Sequence, residues 1–353
     1  MSIVFDNIVF SLQRAGGISR VWSKITQPYC NDDRIIFIES DRWKNNIYHH
    51  DIQFTHTVDD HRLPIPISRY INFNRNFFED GYIFHSSYFR INEASGCSNV
   101  TTVHDLIYEK FSKGLGAALH LRQKEIALRK SDCIVCVSEH TRKDLIEHYP
   151  FCADKRVIVI PNGVEGFIKS STISEKIQRL DIGSYFLYVG HRGGCKGFSL
   201  VHDAIDLLES TLQCVVVGDP FNNNELKKIV ERGHEKKIVN VGKLSDADLN
   251  DLYSHASFFF FPSLYEGFGI PPLEAMMAGC PVLTSNRSSV PEVVGSAGIL
   301  FDPSDLGTLK NGLIRVLQVD VRDKLIALGT ERARIFSWKS VVDRYAALYA
   351  ELC

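Results

Sequence analysis

Short, almost continuously apolar runs are the feature that most limits how this chain can fold. Cys133-Ile134-Val135-Cys136-Val137, Gln213–Val217 and residues 257–261 show little alternation of polar and apolar side chains, and each ends at a polar or turn residue. Such a strand must be covered on both faces, the condition of a parallel sheet flanked by helices. Further strands are expected at 2–10, 82–85, 99–103 and 156–160, then at 185–189, 237–241, 281–284 and 298–301. Helices are expected between them, among them 18–29 and 198–208. Two successive sets of this kind make a two-lobed α/β protein, with ligands at the carboxyl ends of the strands.

The division expected from the sequence is an N-terminal lobe over 1–165, a polar linker over 166–183 and a second lobe over 184–336. A final helical segment, 337–353, carries Val342, Tyr345, Ala346 and Tyr349 at helical spacing and is expected to pack back on the first lobe. At 353 residues the chain is long enough for two cores. Lys and Arg together number 40 and Asp and Glu 42, a net charge of −2. That balance supplies no broad cationic field, so nucleic acid is not an expected partner. Nine scattered cysteines suggest no disulfide framework. Cys133 and Cys136, on opposite faces of one strand, could not clamp one zinc ion. Met1-Ser2-Ile3-Val4-Phe5 has no basic leader and Asp6 interrupts it, so no signal peptide is expected and the cytoplasm is the expected compartment. Two stretches, 61–78 and 111–130, are rich in Arg, Lys and apolar side chains. They read either as solvated surface or as contacts with the anionic inner face of the cell membrane.

The chemistry is concentrated in Ser263-Leu264-Tyr265-Glu266-Gly267-Phe268-Gly269-Ile270-Pro271-Pro272-Leu273-Glu274. Tandem proline suits the first turn of a helix, where a missing N–H costs nothing. Gly267 and Gly269 let backbone approach a ligand, and the helix start offers N–H groups and a positive dipole end to a diphosphate. Glu266 and Glu274 would repel phosphate, so they read as partners of sugar or ribose hydroxyls, although Glu274 alone could simply complement the helix dipole. A second glycine-rich loop, Gly190-His191-Arg192-Gly193-Gly194-Cys195-Lys196-Gly197, brings Arg192 and Lys196 in front of a helix. Gly16-Gly17 precedes a helix near the N-terminus, without a dinucleotide-binding fingerprint.

Glu266 and Glu274, eight residues apart within Glu-Gly-Phe-Gly and Leu-Glu-Ala-Met, resemble the paired glutamates of the family 4 retaining glycosyltransferases. The likeness continues through Gly279-Cys280-Pro281-Val282 and Ser289-Val290-Pro291-Glu292-Val293. It covers the second half closely and the first half loosely. The resemblance implies a GT-B fold, two Rossmann-like parallel-sheet lobes facing across a cleft. It also implies a nucleotide-sugar donor held by Gly16, Gly17, Arg192, Lys196, Glu266, Gly267, Phe268, Gly269, Ile270, Leu273 and Glu274. By the same resemblance His104 contacts the donor sugar, and His104, Glu266, Arg192 and Lys196 form the catalytic set. Arg192 and Lys196 would neutralise the leaving diphosphate, so no metal and no cofactor is expected, although many relatives carry Arg where this chain has His191. GDP-mannose is the favoured donor and a saccharide or polyprenyl-linked saccharide the acceptor, as in surface-polysaccharide or O-antigen synthesis. An epimerase, a phosphorylase or a non-catalytic partner of a glycosyltransferase complex remain alternatives on the same scaffold.

Overall fold

The computed structural model describes residues 1–40, 45–60, 63–170, 175–178, 184–208 and 211–352. Two compact units emerge, Met1–Gly163 with Trp338–Cys353, and Val164–Ser337. In the first, strands β1 (Ile3–Asp6), β2 (Ile35–Glu39), β3 (Thr57–Asp59), β4 (Tyr82–Ser86), β5 (Cys97–Val103), β6 (Cys133–Cys136) and β7 (Val157–Val159) form one sheet in the order 3-2-1-4-5-6-7. Every pairing within it is parallel. Two of these strands, β2 and β3, lie outside those expected. The expected strand over 2–10 is shorter: β1 stops at Asp6, and Ile8-Val9-Phe10 belong to the helix Ile8–Leu12. An apolar run alone does not separate a buried strand from a buried helix. Asn7 marks the change, donating to Glu39 Oε1 at 2.5 Å and accepting from Trp22 Nε1 at 2.7 Å.

A buried charge network fixes the carboxyl ends of three strands. Arg90 donates from Nε to Asp6 Oδ2 (2.8 Å) and from Nη1 to Asp60 Oδ2 (2.7 Å), while Ser86 Oγ donates to Asp6 Oδ2 (2.7 Å). All four side chains are buried. Removing one partner would leave an uncompensated charge, a loss of about 3–5 kcal/mol.

The C-terminal helix Trp338–Leu352 belongs to this first unit. Its buried face is Trp338, Val341, Tyr345, Leu348 and Tyr349, so the stripe is rotated from the expected one: Val342 is half-buried and Val341 takes the inward place. Tyr349 Oη lies 2.7 Å from His85 Nδ1, and His85 Nε2 lies 2.9 Å from Thr102 Oγ1, joining the helix to β4 and β5. Gly163 permits the contact, since a Cβ there would meet Trp338 at 2.6 Å.

In the second unit, β8 (Tyr185–Val189), β9 (Gln213–Val217), β10 (Ile238–Gly242), β11 (Phe259–Phe261), β12 (Val282–Ser285) and β13 (Gly298–Phe301) form a parallel sheet in the order 10-9-8-11-12-13. Its core includes Phe186, Phe258, Phe260 and Phe301, with Phe186 and Phe258 stacked 5.1 Å apart. The segment read as a linker is packed on this unit over part of its length. Phe167 is buried against Tyr253 (5.9 Å), and Ile168 N donates to Asn250 Oδ1 (2.9 Å). The short helix Glu175–Gln178 buries Ile177. Polar neighbours hide these two anchors in the sequence; residues 171–174 and 179–183 of the expected linker lie outside the described residues.

Candidate functional site

In both sheets the strand order reverses once, between β1 and β4 and between β8 and β11. Such reversals open crevices at the carboxyl ends of the strands, where open α/β sheets bind ligands. In the second unit the loops after β8 and β11 therefore lie side by side. Leu264 N donates to Cys195 O at 2.6 Å, and Ser263 Oγ donates to the same carbonyl at 3.2 Å. Gly197 adopts φ +65°, and a Cβ on it would stand 2.1 Å from Pro262 O. Only glycine fits there.

This tie brings Lys196 to Glu266. Lys196 Nζ reaches both carboxylate oxygens, at 2.8 and 2.9 Å, and Ser263 Oγ donates to Glu266 Oε1 at 2.7 Å. The lysine and glutamate side chains retain 28% and 13% exposure, so a ligand can reach both. Backbone contacts hold the glutamate from below. Its N–H donates to Ser288 Oγ (2.8 Å), and Ser289 Oγ donates to the carbonyls of Glu266 (2.9 Å) and Phe268 (2.8 Å). Ser288 has φ +53°, the sole non-glycine residue with positive φ among the described residues. That strain marks a position held for its side chain. Ser263 and Ser289 carry no signal in the sequence beyond their place in the motif strings, and Ser288 carries none.

The helix Ile270–Met277 starts immediately after Gly269 (φ +105°), with Pro271 and Pro272 in its first turn. Glu274 is buried there, its Oε2 3.5 Å from Tyr253 Oη. Phe268 and Leu273 turn their side chains into the core, Phe268 against Phe336 at 5.6 Å. Neither side chain is exposed to meet a ligand, as the expected donor contacts would require. Gly267 is buried in the same loop and Ile270 is half-buried.

Arg192 departs from the expected pair of cations. Its Nε and Nη2 bind Glu225 at 2.9 and 3.1 Å, and Nη1 and Nη2 donate to the carbonyls of Asp219 (2.7 Å) and Pro220 (2.8 Å). Burial opposes ionisation of Glu225, but the hydrogen bonds from Arg192 and the Asn222 amide prevail and hold its pKa below the usual range. Arg192 thus staples the loop after β8 to the loop after β9, whereas Lys196 meets Glu266. The Asn222-x-x-Glu225 capping box is the signal that could have located this partner. His191 also shapes the loop, its Nδ1 accepting from Gly193 N at 3.0 Å.

In the first unit, Gly16 caps the helix Gly17–Thr26 and packs under the Gln13 side chain, which accepts from Ser19 N at 3.3 Å. His104, past the end of β5, lines a cavity of about 60 Å³ with Ser87, Tyr88, Asp105, His120 and Lys124. Burial pushes the pKa of His104 down to about 4, which leaves a neutral imidazole at pH 7. His120 is likewise lowered to about 4 by burial, with Lys124 and Arg69 adding to the effect. Lys124 is itself buried, donating to Glu109 Oε1 (2.7 Å) and Asp105 O (2.8 Å). Ser138 caps the helix Glu139–His148, accepting from Thr141 N at 2.9 Å.

Comparisons with known proteins match these two units separately. The family described as "Glycosyl transferases group 1" matches residues 170–332, and "Glycosyltransferase Family 4" matches residues 78–165. The O-antigen chain mannosyltransferase B of Escherichia coli is 33% identical over 235 residues, which cover 63% of this chain and 61% of that protein. The serotype-specific mannosyltransferase WbdA of Escherichia coli is 30% identical over 228 residues, 59% of this chain and 27% of that protein. The matches thus span less than two thirds of these relatives' own length. Among solved structures, sucrose-phosphate synthase from Thermosynechococcus elongatus superposes with a TM-score of 0.75 at 17% identity, covering 100% of this chain and 99% of the other. Anabaena Alr3699/HepE in complex with UDP and glucose gives a TM-score of 0.74 at 18% identity, covering 99% and 100%. Both share the GT-B architecture of paired parallel-sheet lobes.

Proposed function

We propose that this chain, whose residues 170–332 match the group 1 and residues 78–165 the family 4 glycosyltransferases, transfers a hexose, mannose in preference, with retention of configuration. The donor is a nucleotide sugar, GDP-mannose first among them, and the acceptor a saccharide or polyprenyl-linked saccharide of a surface polysaccharide or O-antigen. The observation that carries this reading is the meeting of Lys196 with Glu266 where the second sheet reverses its strand order, beside the glycine-capped start of the helix Ile270–Met277. The mannosyl specificity rests on the names of the sequence relatives.

Lys196 and the amides at the helix start take the donor diphosphate, stabilising the negative charge that grows as the C1–O bond breaks. Glu266 then exchanges its lysine for hydroxyls of the sugar, and Glu274 holds the ribose. Arg192 keeps the loop in place, and its positive charge contributes to the diphosphate at longer range. The acceptor hydroxyl attacks C1 from the face the diphosphate leaves, the bond to the phosphate oxygen breaks, and the acceptor proton passes to that oxygen. With Lys196 and helix amides bearing the charge, the reaction needs no metal.

The test supplies a panel of nucleotide sugars with a mannosylated acceptor in excess EDTA, following nucleoside diphosphate release and the anomeric configuration of the product. An α-linked product from an α-donor, formed at full rate in EDTA, is expected. Inverted product, or turnover that EDTA abolishes and manganese restores, refutes the mechanism. Sugar interconversion without transfer indicates the epimerase.

A further inference from the structure

We propose that β13, the outer strand of the second sheet, pairs antiparallel with β13 of a second copy of this chain about a two-fold axis. The strand has an open edge. Phe301 O accepts from Asn286 N, so the polar groups of Phe301 face β12 and, by alternation along the strand, those of Leu300 and Gly298 face outward. Further along, the N–H of Asp302 is taken by Thr308 Oγ1 at 2.9 Å. That bond closes the edge at Asp302 and leaves it open at Leu300, which is 39% exposed.

Exposed edges normally carry lysine, other charges or proline, which discourage pairing. At the opposite edge of the sheet, β10 has Lys236 and Lys237 just before it and Lys243 just after it. The outer edge at β13 lacks these devices. From Gly295 to Phe301 the chain reads Gly-Ser-Ala-Gly-Ile-Leu-Phe, without a charge or a proline. An apolar open edge of this kind is stable in solution when another strand covers it.

Charge selects which strand. A groove of about 520 Å³ joins the edge to the helices Leu306–Val316 and Val319–Ile335, with Val321, Leu325 and Leu328 in its lining. Arg315, Asp320 and Lys324 line it too, and Asp323 lies one turn on from Asp320. All four charged residues are exposed, and none forms an ion pair among the described residues. A two-fold contact sets a patch against its own copy, so a patch that serves it must carry both signs. Here two cations and two acids share one groove. With the axis beside Ile299, Gly298 of one copy lies opposite Leu300 of the other. Antiparallel pairing also turns the carboxyl ends of the two sheets in opposite directions, so the loops after β8 and β11 stay clear of the contact. The inference stands apart from the transfer chemistry, and its test needs no turnover.

In sedimentation velocity the full chain should form a dimer that dissociates on dilution. Leu300→Pro removes the outward N–H and leaves the bonds to β12, and it should weaken the dimer about tenfold or more. Arg315→Glu/Lys324→Glu and Asp320→Lys/Asp323→Lys each set like charges across the axis, so each alone should be monomeric. An equimolar mixture of these two variants should dimerise, because an acidic patch then meets a basic one. Hydrogen exchange of the unaltered chain needs no substitution and decides the matter if a variant fails to fold. Peptides covering 298–301 should gain protection as protein concentration rises, while those covering 238–242 should not. A wild-type monomer at every concentration, variants that dimerise as wild type does, a mixture of folded variants that stays monomeric, or exchange at 298–301 that ignores concentration overturns the proposal.

Discussion

The two points at which the sheets reverse their strand order are built by different means. In the second unit the ligand-facing loops are shaped by backbone and short side chains: Gly197 under the Pro262 carbonyl, Gly269 with positive φ, two prolines, and serines 263 and 289 bound to carbonyls. In the first unit the cavity beside His104 is walled by large side chains, among them Tyr88, Phe89, Tyr108, His120 and Lys124, drawn from separate segments. A site of the first kind holds a constant group such as a diphosphate through positions that admit one residue type. A site of the second kind changes shape with any of its walls.

The largest effect should separate these two constructions at their glycines. Gly197→Ala places a methyl group inside the van der Waals radius of Pro262 O at an unfavourable φ, so the two loops must part. Transfer should fall by more than about 10²-fold, the scale of an ångström-sized misplacement of binding groups. Gly17→Ala meets nothing within 4 Å. Its melting temperature should hold or rise slightly, since Ala favours a helix over Gly by roughly 0.5–1 kcal/mol. Any loss of donor affinity in that variant then reports a ligand close to Gly17. Equal damage from the two substitutions, by steady-state kinetics and calorimetric unfolding, would erase the distinction.

Within the backbone-built site, the two glutamates should fail differently. Glu266 lies on the loop, and if it meets the sugar as positive charge develops at C1, as proposed, Glu266→Ala should lower kcat by about 10²-fold. Glu274, buried in its helix one turn beyond Ile270, should hold ribose in ground and transition states alike, and Glu274→Ala should mainly raise the donor KM. Bare nucleoside diphosphate separates them by calorimetry. It should weaken in Glu274→Ala, yet bind Glu266→Ala at least as well as wild type, because Lys196 no longer has its carboxylate partner. Weaker binding in Glu266→Ala would mean that the ion pair is not what the diphosphate displaces.

The contrast also explains what could be read in advance. Apolar runs revealed the strands of the second sheet, and the Glu266 to Glu274 segment marked a candidate site, because glycine, proline and paired glutamates are local signals. The C-terminal helix was legible through its aromatic spacing, but the register of its buried face was not, since that depends on His85 and Gly163, far away in the chain. Arg192 read as a ligand cation because Glu225, 33 residues on, is visible only in three dimensions. The cavity of the first unit left no trace, its walls being scattered from Ile18 to Lys124. Thr57–Asp59 carries no apolar run to mark β3, whereas Ile35-Ile36-Phe37-Ile38 of β2 is as apolar as the strands that were expected.

The smallest effect expected is a difference in acid sensitivity. Burial lowers the pKa of His85 to about 3, and of His104 and His120 to about 4, all in the first unit. His202, also lowered, is the second unit's counterpart among the described residues. A folded pKa below the unfolded value of about 6.5 means that the unfolded chain binds more protons between the two. The stability these neutral rings confer is therefore complete above pH 6.5 and is lost as pH falls toward 4, at up to about 1.4 kcal/mol per pH unit for each ring. Hydrogen exchange resolved by peptide should show β4, β5 and the helix Trp338–Leu352 losing protection between pH 6.5 and 5 sooner than β8 and β11. A lowering of the melting temperature by a few degrees should accompany it, at roughly 2–4 °C per kcal/mol for units of this size. His85 is the ring to watch, because its two nitrogens are taken by Tyr349 and Thr102. A proton there would put a charge in a buried site where desolvation and the His104 ring both oppose it, weakening the seat of the C-terminal helix on the sheet. If both units lose protection together, the first is not held by its neutral histidines, and the side-chain construction assigned to it loses its clearest signature.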